Sequence, residues 1–222
     1  PSFVAYKGCT AFTGASPVTI KLREEDDFKL TPELLEQAIT EKTKVLILPF
    51  PNNPTGAIMS REDLQKIVDV LKDKNIIIIS DEIYAELTYN GRHVSIASFP
   101  EIKDKTIVIN GLSKAFAMTG WRIGYACAHE EIISQMTKIH QYAIMCSPTT
   151  AQYAAYEALS ETSDPEVEKM VREYNRRRRV LLDGFRSAGF ECFDALGAFY
   201  LFPNITSTGM SSDEFCEKLL KE

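Results

Sequence analysis

The sequence has little of what marks a metal site, a disulfide framework or a nucleotide-binding loop. It contains only three histidines, no His-Glu-x-x-His motif and no glycine-rich nucleotide loop, so the common sequence signatures of zinc and nucleotide sites are missing. Its five cysteines are odd in number and include no Cys-x-x-Cys pair, which is typical of reduced thiols in a cytoplasm. We therefore predict no metal site and a cytoplasmic location.

Long apolar runs and an excess of positive charge are also absent. No uninterrupted apolar run approaches the roughly 20 residues that a membrane-spanning helix needs. The 25 basic residues are outnumbered by 31 acidic ones, which gives a net charge of -6, whereas nucleic-acid binders usually carry a positive surface. These two absences predict a soluble protein with no membrane association and no nucleic-acid partner.

The chain does contain enough apolar residues for a sizeable core, since 45% of its 222 residues are hydrophobic. In its first 130 residues, short runs rich in Val, Ile and Leu alternate with amphipathic helical patterns. Such alternation predicts an α/β fold in which a mainly parallel sheet is sandwiched by helices. We predict strands at 18–22, 44–49, 75–79, 106–110 and 123–127.

The second half of the sequence is mostly helical. A long helix is predicted at 164–188 with Gly189 at its end, followed by a strand pair around 190–203 and a final helix from Ser212. We place a domain boundary near residue 160, so that residues 1–160 form a large domain and 161–222 part of a smaller α+β domain. Helical apolar spacing predicts core positions for five side chains: Met136, Tyr142, Met145, Tyr153 and Tyr156.

The most informative segment is residues 111–124, GLSKAFAMTGWRIG. It sets Lys114 among small and apolar residues, with Arg122 eight positions later. A poorly solvated lysine can be the neutral amine that forms a Schiff base with an aldehyde. Pyridoxal phosphate is such an aldehyde, and it also needs a fixed cation for its phosphate and an Asp for its ring nitrogen. Lys114 is therefore the candidate catalytic residue.

This segment resembles the cofactor-lysine signature of the class I and II aminotransferases, which are fold type I pyridoxal-phosphate enzymes. Two further segments are similar to that family and stand in its order and spacing. PNNPTG at 51–56 resembles the family's Asn-Pro-x-Gly turn, and SDEIY at 80–84 resembles its Asp-x-x-Tyr segment. The resemblance extends over the whole chain and is strongest to bacterial aspartate, aromatic and N-acetyl-diaminopimelate aminotransferases.

The resemblance implies that pyridoxal 5'-phosphate is the cofactor and that it binds in the large domain. Lys114 would carry it as a Schiff base and then, released by the substrate amine, serve as general base. Asp81 would pair with the pyridine nitrogen. Because ligands collect at the carboxyl ends of parallel strands, residues that directly follow strands are well placed to converge.

Four more residues are implied as cofactor ligands. Asn53 and Tyr84 resemble the family's two donors to the phenolic oxygen, and Arg122 would bind the phosphate through its planar guanidinium. Ser113 would add a hydroxyl to the phosphate, with a plain turn residue as the alternative. Asn53-Pro54 resembles a family turn in which the bond before proline is often cis.

The resemblance implies a transaminase that moves an amino group between an L-amino acid and a 2-oxo acid, as a homodimer in its full-length form. The family's phosphate loop, its ring-stacking aromatic and its substrate-carboxylate arginine cannot be placed in these residues. We therefore expect an internal fragment that is inactive by itself.

Two other functions remain open. A carbon-sulfur β-lyase shares the fold and the lysine, and it would release pyruvate and ammonia without a 2-oxo-acid acceptor. An aminotransferase-like domain of a transcription regulator would sense pyridoxal phosphate without turnover, and it would follow a winged helix-turn-helix.

Overall fold

The structure is a computed structural model that describes all of residues 1–222. Its main sheet has four strands in the order β1-β2-β3-β4, of which the first three are parallel and the fourth is antiparallel to its neighbour. The predicted α/β class with a mainly parallel sheet is therefore confirmed. The strands of this sheet are β1 Val45–Pro49, β2 Ile77–Asp81, β3 Thr106–Gly111 and β4 Gly124–Cys127.

The helices lie before, between and after these strands. None of them is both long and apolar enough to cross a membrane. A separate antiparallel pair, β5 (Glu191–Cys192) and β6 (Pro203–Asn204), confirms the predicted strand pair near the end of the chain. The α-helices are α1 Ala5–Phe12, α2 Pro32–Ala38, α3 Arg61–Leu71, α4 Leu112–Ala115, α5 Glu130–Ala143, α6 Thr149–Ala158, α7 Asp164–Ser187 and α8 Ser212–Leu219.

Helix α3 shows how local sequence produces the core. It starts at a capping box, in which the Ser60 hydroxyl accepts from the backbone of Asp63 while the Asp63 carboxylate accepts from the backbone of Ser60. Its apolar residues recur at helical spacing and are buried against strands β1 and β2. Burial of each large aliphatic side chain contributes about 1.5–3 kcal/mol. The buried face of the helix consists of Leu64, Ile67, Val68 and Leu71.

The predicted strand at 18–22 is wrong, because residues 15–23 form no strand. Ile20 and Leu22 nevertheless pack against the main core, and Val18 is 74% exposed. Two of the three alternating apolar side chains, Ile20 and Leu22, therefore turn inward. The apolar alternation could not mark a strand, because an extended segment also needs a neighbouring backbone to pair with.

The predicted core positions on α5, in the turn that follows it and on α6 are also wrong for four of the five side chains. Helix α5 buries no residue at all, and α6 buries only Ala151 and Ala155. Apolar residues recur at helical spacing on both helices, but no other element of the chain covers them. Met136 is half-buried, while the four that are exposed are Tyr142, Met145, Tyr153 and Tyr156.

A short segment, residues 195–200, packs against the loops that follow strands β1 and β2. Gly197 N donates to Gly56 O at 2.9 Å, and Ala198 N donates to Leu87 O at 2.8 Å. The backbones approach so closely that a Cβ on Gly56, whose φ is +72°, would lie 2.5 Å from the Cβ of Ala195. The domain boundary at 160 stays a prediction, but this contact carries Phe199 and Tyr200 to the carboxyl end of the sheet.

Candidate active site

The three sequence motifs meet at the carboxyl edge of the main sheet. Asp81 is the last residue of β2 and pairs in register with Pro49 on β1 and Ile109 on β3. Asn53 follows β1, and Lys114 lies in α4, directly after β3. Since parallel strands end at the same edge, the residues that follow them become neighbours despite long separations in sequence.

Asn53 and Tyr84 are joined by a third side chain, that of Tyr200. The amide of Asn53 donates to the Tyr200 hydroxyl at 3.2 Å, and the hydroxyls of Tyr84 and Tyr200 are 2.7 Å apart. Burial raises the pKa of Tyr84 above its usual value, so its hydroxyl keeps its proton. The Asn53–Pro54 bond is cis, as the family turn suggested.

Lys114 lies beside this cluster with its amine over aromatic faces. Its Nζ is 5.8 Å from the ring centroid of Tyr84 and 5.4 Å from that of Phe199. These distances are typical of cation-π contacts, which contribute about 0.5–1 kcal/mol at exposed sites and more when the cation is desolvated. The residue is half-buried. Aromatic rings therefore hold the amine between Tyr84 and Phe199.

Asp81 is held from two sides. Its Oδ1 accepts from the backbone N–H of Ile83 at 3.2 Å, and its Oδ2 accepts from the hydroxyl of Tyr6 at 2.6 Å. Burial, and then the hydrogen bond to Asp81, raises the pKa of Tyr6 above its usual value, which keeps Tyr6 a donor. The carboxylate thus has a fixed orientation, and its remaining lone pairs can accept further bonds.

Behind Asp81, the buried Glu82 anchors the loop that follows β2. It is 4% exposed and accepts from the hydroxyls of Ser80 at 2.9 Å and Ser95 at 2.7 Å. His93 Nε2 lies 3.0 Å from Glu82 Oε2, an ion-pair distance without the alignment of a good hydrogen bond. Burial alone would raise the pKa of Glu82, but His93 and the two hydroxyls outweigh it and lower the pKa.

Ser113 and Arg122 make no bond to the other candidate residues. Leu112 N donates to Ile123 O at 3.4 Å, so Ser113 and Arg122 flank the point where the chain returns to the sheet. Arg122 is exposed, and its Nη1 donates to the backbone O of Thr119 at 2.8 Å. A guanidinium has five N–H donors, which leaves the others free for a ligand.

Neither Tyr6 nor Tyr200 is among the site residues that the sequence indicated. Tyr6 lies 75 positions from Asp81, and no periodicity or motif in the sequence indicated their contact. For Tyr200 there was a signal, because the GAFY segment at 197–200 combines small residues with two aromatics. Small residues allow a close backbone approach, which here brings the aromatics to the site.

The whole chain matches known aminotransferases. It is 46% identical over 222 residues to a protein of Bacillus subtilis (strain 168) named YugH, covering 100% of this chain and 57% of that protein. It is 42% identical over 224 residues to an aspartate aminotransferase of Pyrococcus abyssi, covering 100% of this chain and 58% of that enzyme. The chain therefore spans less than two thirds of the length of these relatives.

A solved structure gives the same result. The crystal structure of an aromatic aminotransferase from Pyrococcus horikoshii OT3 superposes with a TM-score of 0.97 and 42% identity, covering 100% of this chain and 60% of that one. The family model described as aminotransferase class I and II matches residues 1–222. The resemblance drawn from the three motifs is confirmed: the chain belongs to the class I and II aminotransferase family.

Proposed function

We propose that this chain forms the catalytic part of a transaminase that moves an amino group between an L-amino acid and a 2-oxo acid, with pyridoxal 5'-phosphate as cofactor. The observation that carries the proposal is the meeting of Asn53, Asp81, Tyr84 and Lys114 at one edge of the sheet. In a member of this family, that edge offers an amine, a carboxylate and two hydrogen-bond donors at once.

The donor set fits the cofactor. When bound, pyridoxal phosphate supplies an aldehyde that reacts with amines and a ring that withdraws electrons from the substrate α-carbon. Lys114 supplies the amine, and after exchange with the substrate its neutral form would move the proton at the α-carbon. The rings of Tyr84 and Phe199 limit the space in which the Lys114 amine can move.

Asp81 would hold the proton of the pyridine nitrogen. Each carboxylate oxygen offers about two acceptor positions, and the bonds from Tyr6 and Ile83 use one on each. A free acceptor position therefore remains on a carboxylate whose orientation is already fixed. An ionised Asp81 next to the ring nitrogen would favour the protonated, electron-withdrawing ring.

Asn53 and Tyr84 would donate to the phenolic oxygen, and Arg122 with Ser113 would hold the phosphate. The support for Arg122 is its exposed guanidinium, which has donors to spare beside the Lys114 segment. Bidentate guanidinium-phosphate pairs are among the stronger charge-assisted hydrogen bonds. Ser113 is supported only by its position next to the Leu112 and Ile123 contact.

The relatives reported above bear aminotransferase names, so the carbon-sulfur lyase and the cofactor-sensing regulator are not favoured. Those names include aspartate and aromatic substrates. We therefore propose a dicarboxylic or aromatic L-amino acid as the amino donor and the matching 2-oxo acid as the product.

The test is the absorbance spectrum of the purified full-length protein with pyridoxal phosphate, compared with that of Lys114→Ala. A lysine-dependent band that is lost on adding aspartate or phenylalanine, and restored by a 2-oxo acid, would support the proposal. Release of ammonia and pyruvate without any acceptor would instead indicate a lyase. A stable band that no amino acid changes would indicate a sensor.

Association into a homodimer in the cytoplasm is part of the same proposal. Its support is the exposed apolar surface of α5 and α6, which includes Tyr142 at 88% and Tyr156 at 80% exposure. Large exposed apolar patches commonly mark protein interfaces. All five cysteines are unpaired, which suits a reducing compartment. Sedimentation velocity over a concentration series would detect or exclude the dimer.

A further inference from the structure

We propose that Tyr200 is a positioning residue of the cofactor site, and that its hydroxyl sets both Asn53 and Tyr84 to donate to one ligand oxygen. This inference rests on the proposed function and adds a residue to it. Its basis is that both side chains bond the same atom, since Tyr200 Oη accepts from Asn53 Nδ2 at 3.2 Å and lies 2.7 Å from Tyr84 Oη.

The protons in this cluster can be counted. An Asn amide has two N–H donors and a phenol has one O–H. Tyr200 uses one acceptor position for Asn53, so it can donate its own proton to the oxygen of Tyr84. That leaves one N–H on Asn53 and the O–H of Tyr84 free to donate to the same acceptor. A hydroxyl that accepts one bond while donating another also strengthens the chain of bonds.

Tyr200 is itself rigidly placed. The residues before it are fixed by backbone bonds from Gly197 N to Gly56 O and from Ala198 N to Leu87 O, and Ala198 is fully buried. The ring of Tyr200 contacts those of Tyr84 and Phe199, with centroids 5.8 Å and 4.9 Å away. A hydroxyl held in this way can orient its partners, because it gains little freedom when they move.

The ligand that this arrangement fits is an oxygen anion close to an amine. The Nζ of Lys114 lies over the ring of Tyr84, and two neutral donors on this side of the site would stabilise a phenolate-type oxygen better than a neutral one. Tyr200 touches only Asn53, Tyr84 and Phe199 within this group. Its influence on the ligand therefore passes through the two donors.

The main test compares Tyr200→Phe with wild type in two measurements, the dissociation constant for pyridoxal phosphate and the pH midpoint at which the lysine-dependent absorbance band changes. We expect about tenfold weaker binding, equivalent to about 1.4 kcal/mol, and a higher midpoint, because the less well oriented donors stabilise the anion less. Tyr174→Phe is the matched control: its ring stacks on Phe199 with centroids 5.5 Å apart, but its hydroxyl is not in the cluster.

Unchanged or tighter binding in Tyr200→Phe would overturn the inference, and tighter binding would mean that the hydroxyl competes for the oxygen position. A second measurement needs no cofactor: a double-mutant cycle of Tyr84→Phe and Tyr200→Phe in urea unfolding. A non-additive effect supports the orienting bond, and additivity overturns it. If the full-length wild type shows no lysine-dependent band, the proposed function fails, while the double-mutant cycle still tests the bond between Tyr200 and Tyr84.

Discussion

The hydroxyl of Tyr6 donates to Oδ2 of Asp81 across 2.6 Å and 75 residues of sequence. Helix α1 thereby contributes to the carboxyl edge of a sheet to which it gives no strand. The contact fixes the carboxylate that we propose as the partner of the pyridine nitrogen. It also links the beginning of the chain to the site without any sequence motif to indicate it.

Removing this hydroxyl with Tyr6→Phe should destabilise the protein. Hydrogen bonds to charged groups are worth about 1.5–3 kcal/mol, and since Tyr6 and Asp81 are both half-buried we expect a loss of about 1–2 kcal/mol in the free energy of unfolding. Urea unfolding measures it, with Tyr153→Phe, at a side chain 75% exposed, as the control. Equal effects of the two substitutions would contradict a structural role for the bond.

Lys114→Ala should abolish the absorbance band formed with pyridoxal phosphate and leave the fold intact. The Nζ contacts only the faces of Tyr84 and Phe199 at the distances given above, so its loss should change the free energy of unfolding by less than about 1 kcal/mol. Lys114→Arg keeps the charge over the rings but offers no comparable nucleophile. A band that persists in either variant would place the covalent chemistry elsewhere.

Gly56→Ala should be far more destabilising than Gly91→Ala, although both glycines have positive φ, +72° and +81°. Placing alanine in that conformation costs about 1–2 kcal/mol in either case. At Gly56 the added Cβ would also lie 2.5 Å from Ala195 Cβ and 2.7 Å from Gly197 O, while at Gly91 nothing lies within 4 Å. Overpacking should add about 1–3 kcal/mol.

Thermal unfolding of the two variants measures this difference. Because the clash pushes residues 195–198 away from the sheet, Gly56→Ala should also loosen the contact between Tyr200 and Tyr84. Similar melting temperatures for the two variants would show that the close packing of Gly56 against residues 195–197 does not contribute to stability.

Glu82 should make stability dependent on pH in the acid range. Its folded-state pKa lies below the usual 4.5, so the unfolded chain binds the proton more readily. The contribution is fully present above about pH 4.5 and is lost as the pH falls through the lower, folded-state value. At pH 7, Glu82→Gln should cost about 1–3 kcal/mol.

The measurement is the free energy of unfolding of wild type and Glu82→Gln at pH 7 and at pH 3. The difference between them should shrink at the lower pH, because the unfolded wild-type chain binds the Glu82 proton more readily than the folded one. Exposed acids such as Glu217 (75% side-chain exposure) provide the comparison, since Glu217→Gln should show no such change. A constant difference at both pH values would argue against a charged Glu82.

Local sequence was sufficient for much of the fold. The capping box at Ser60 and the apolar runs before Asn53, Asp81 and Lys114 each specify an element through contacts between near neighbours in sequence. Prediction failed at residues 18–22 and on the exposed faces of α5 and α6. In both places apolar residues recur at the spacing of a strand or a helix. That spacing carries no information on whether another segment pairs with or covers the element.

The sequence by itself indicated the family, the four strands of the main sheet, and the lysine, carboxylate and two donors that we propose for the cofactor site. Those features depend on residue type and on spacing along the chain. Only the tertiary structure decided that Tyr6 orients Asp81, that Tyr200 joins Asn53 to Tyr84, and that Arg122 stays exposed. Contacts between such distant positions form only when packing of the whole chain offsets the entropy of bringing them together, and no local pattern encodes that outcome.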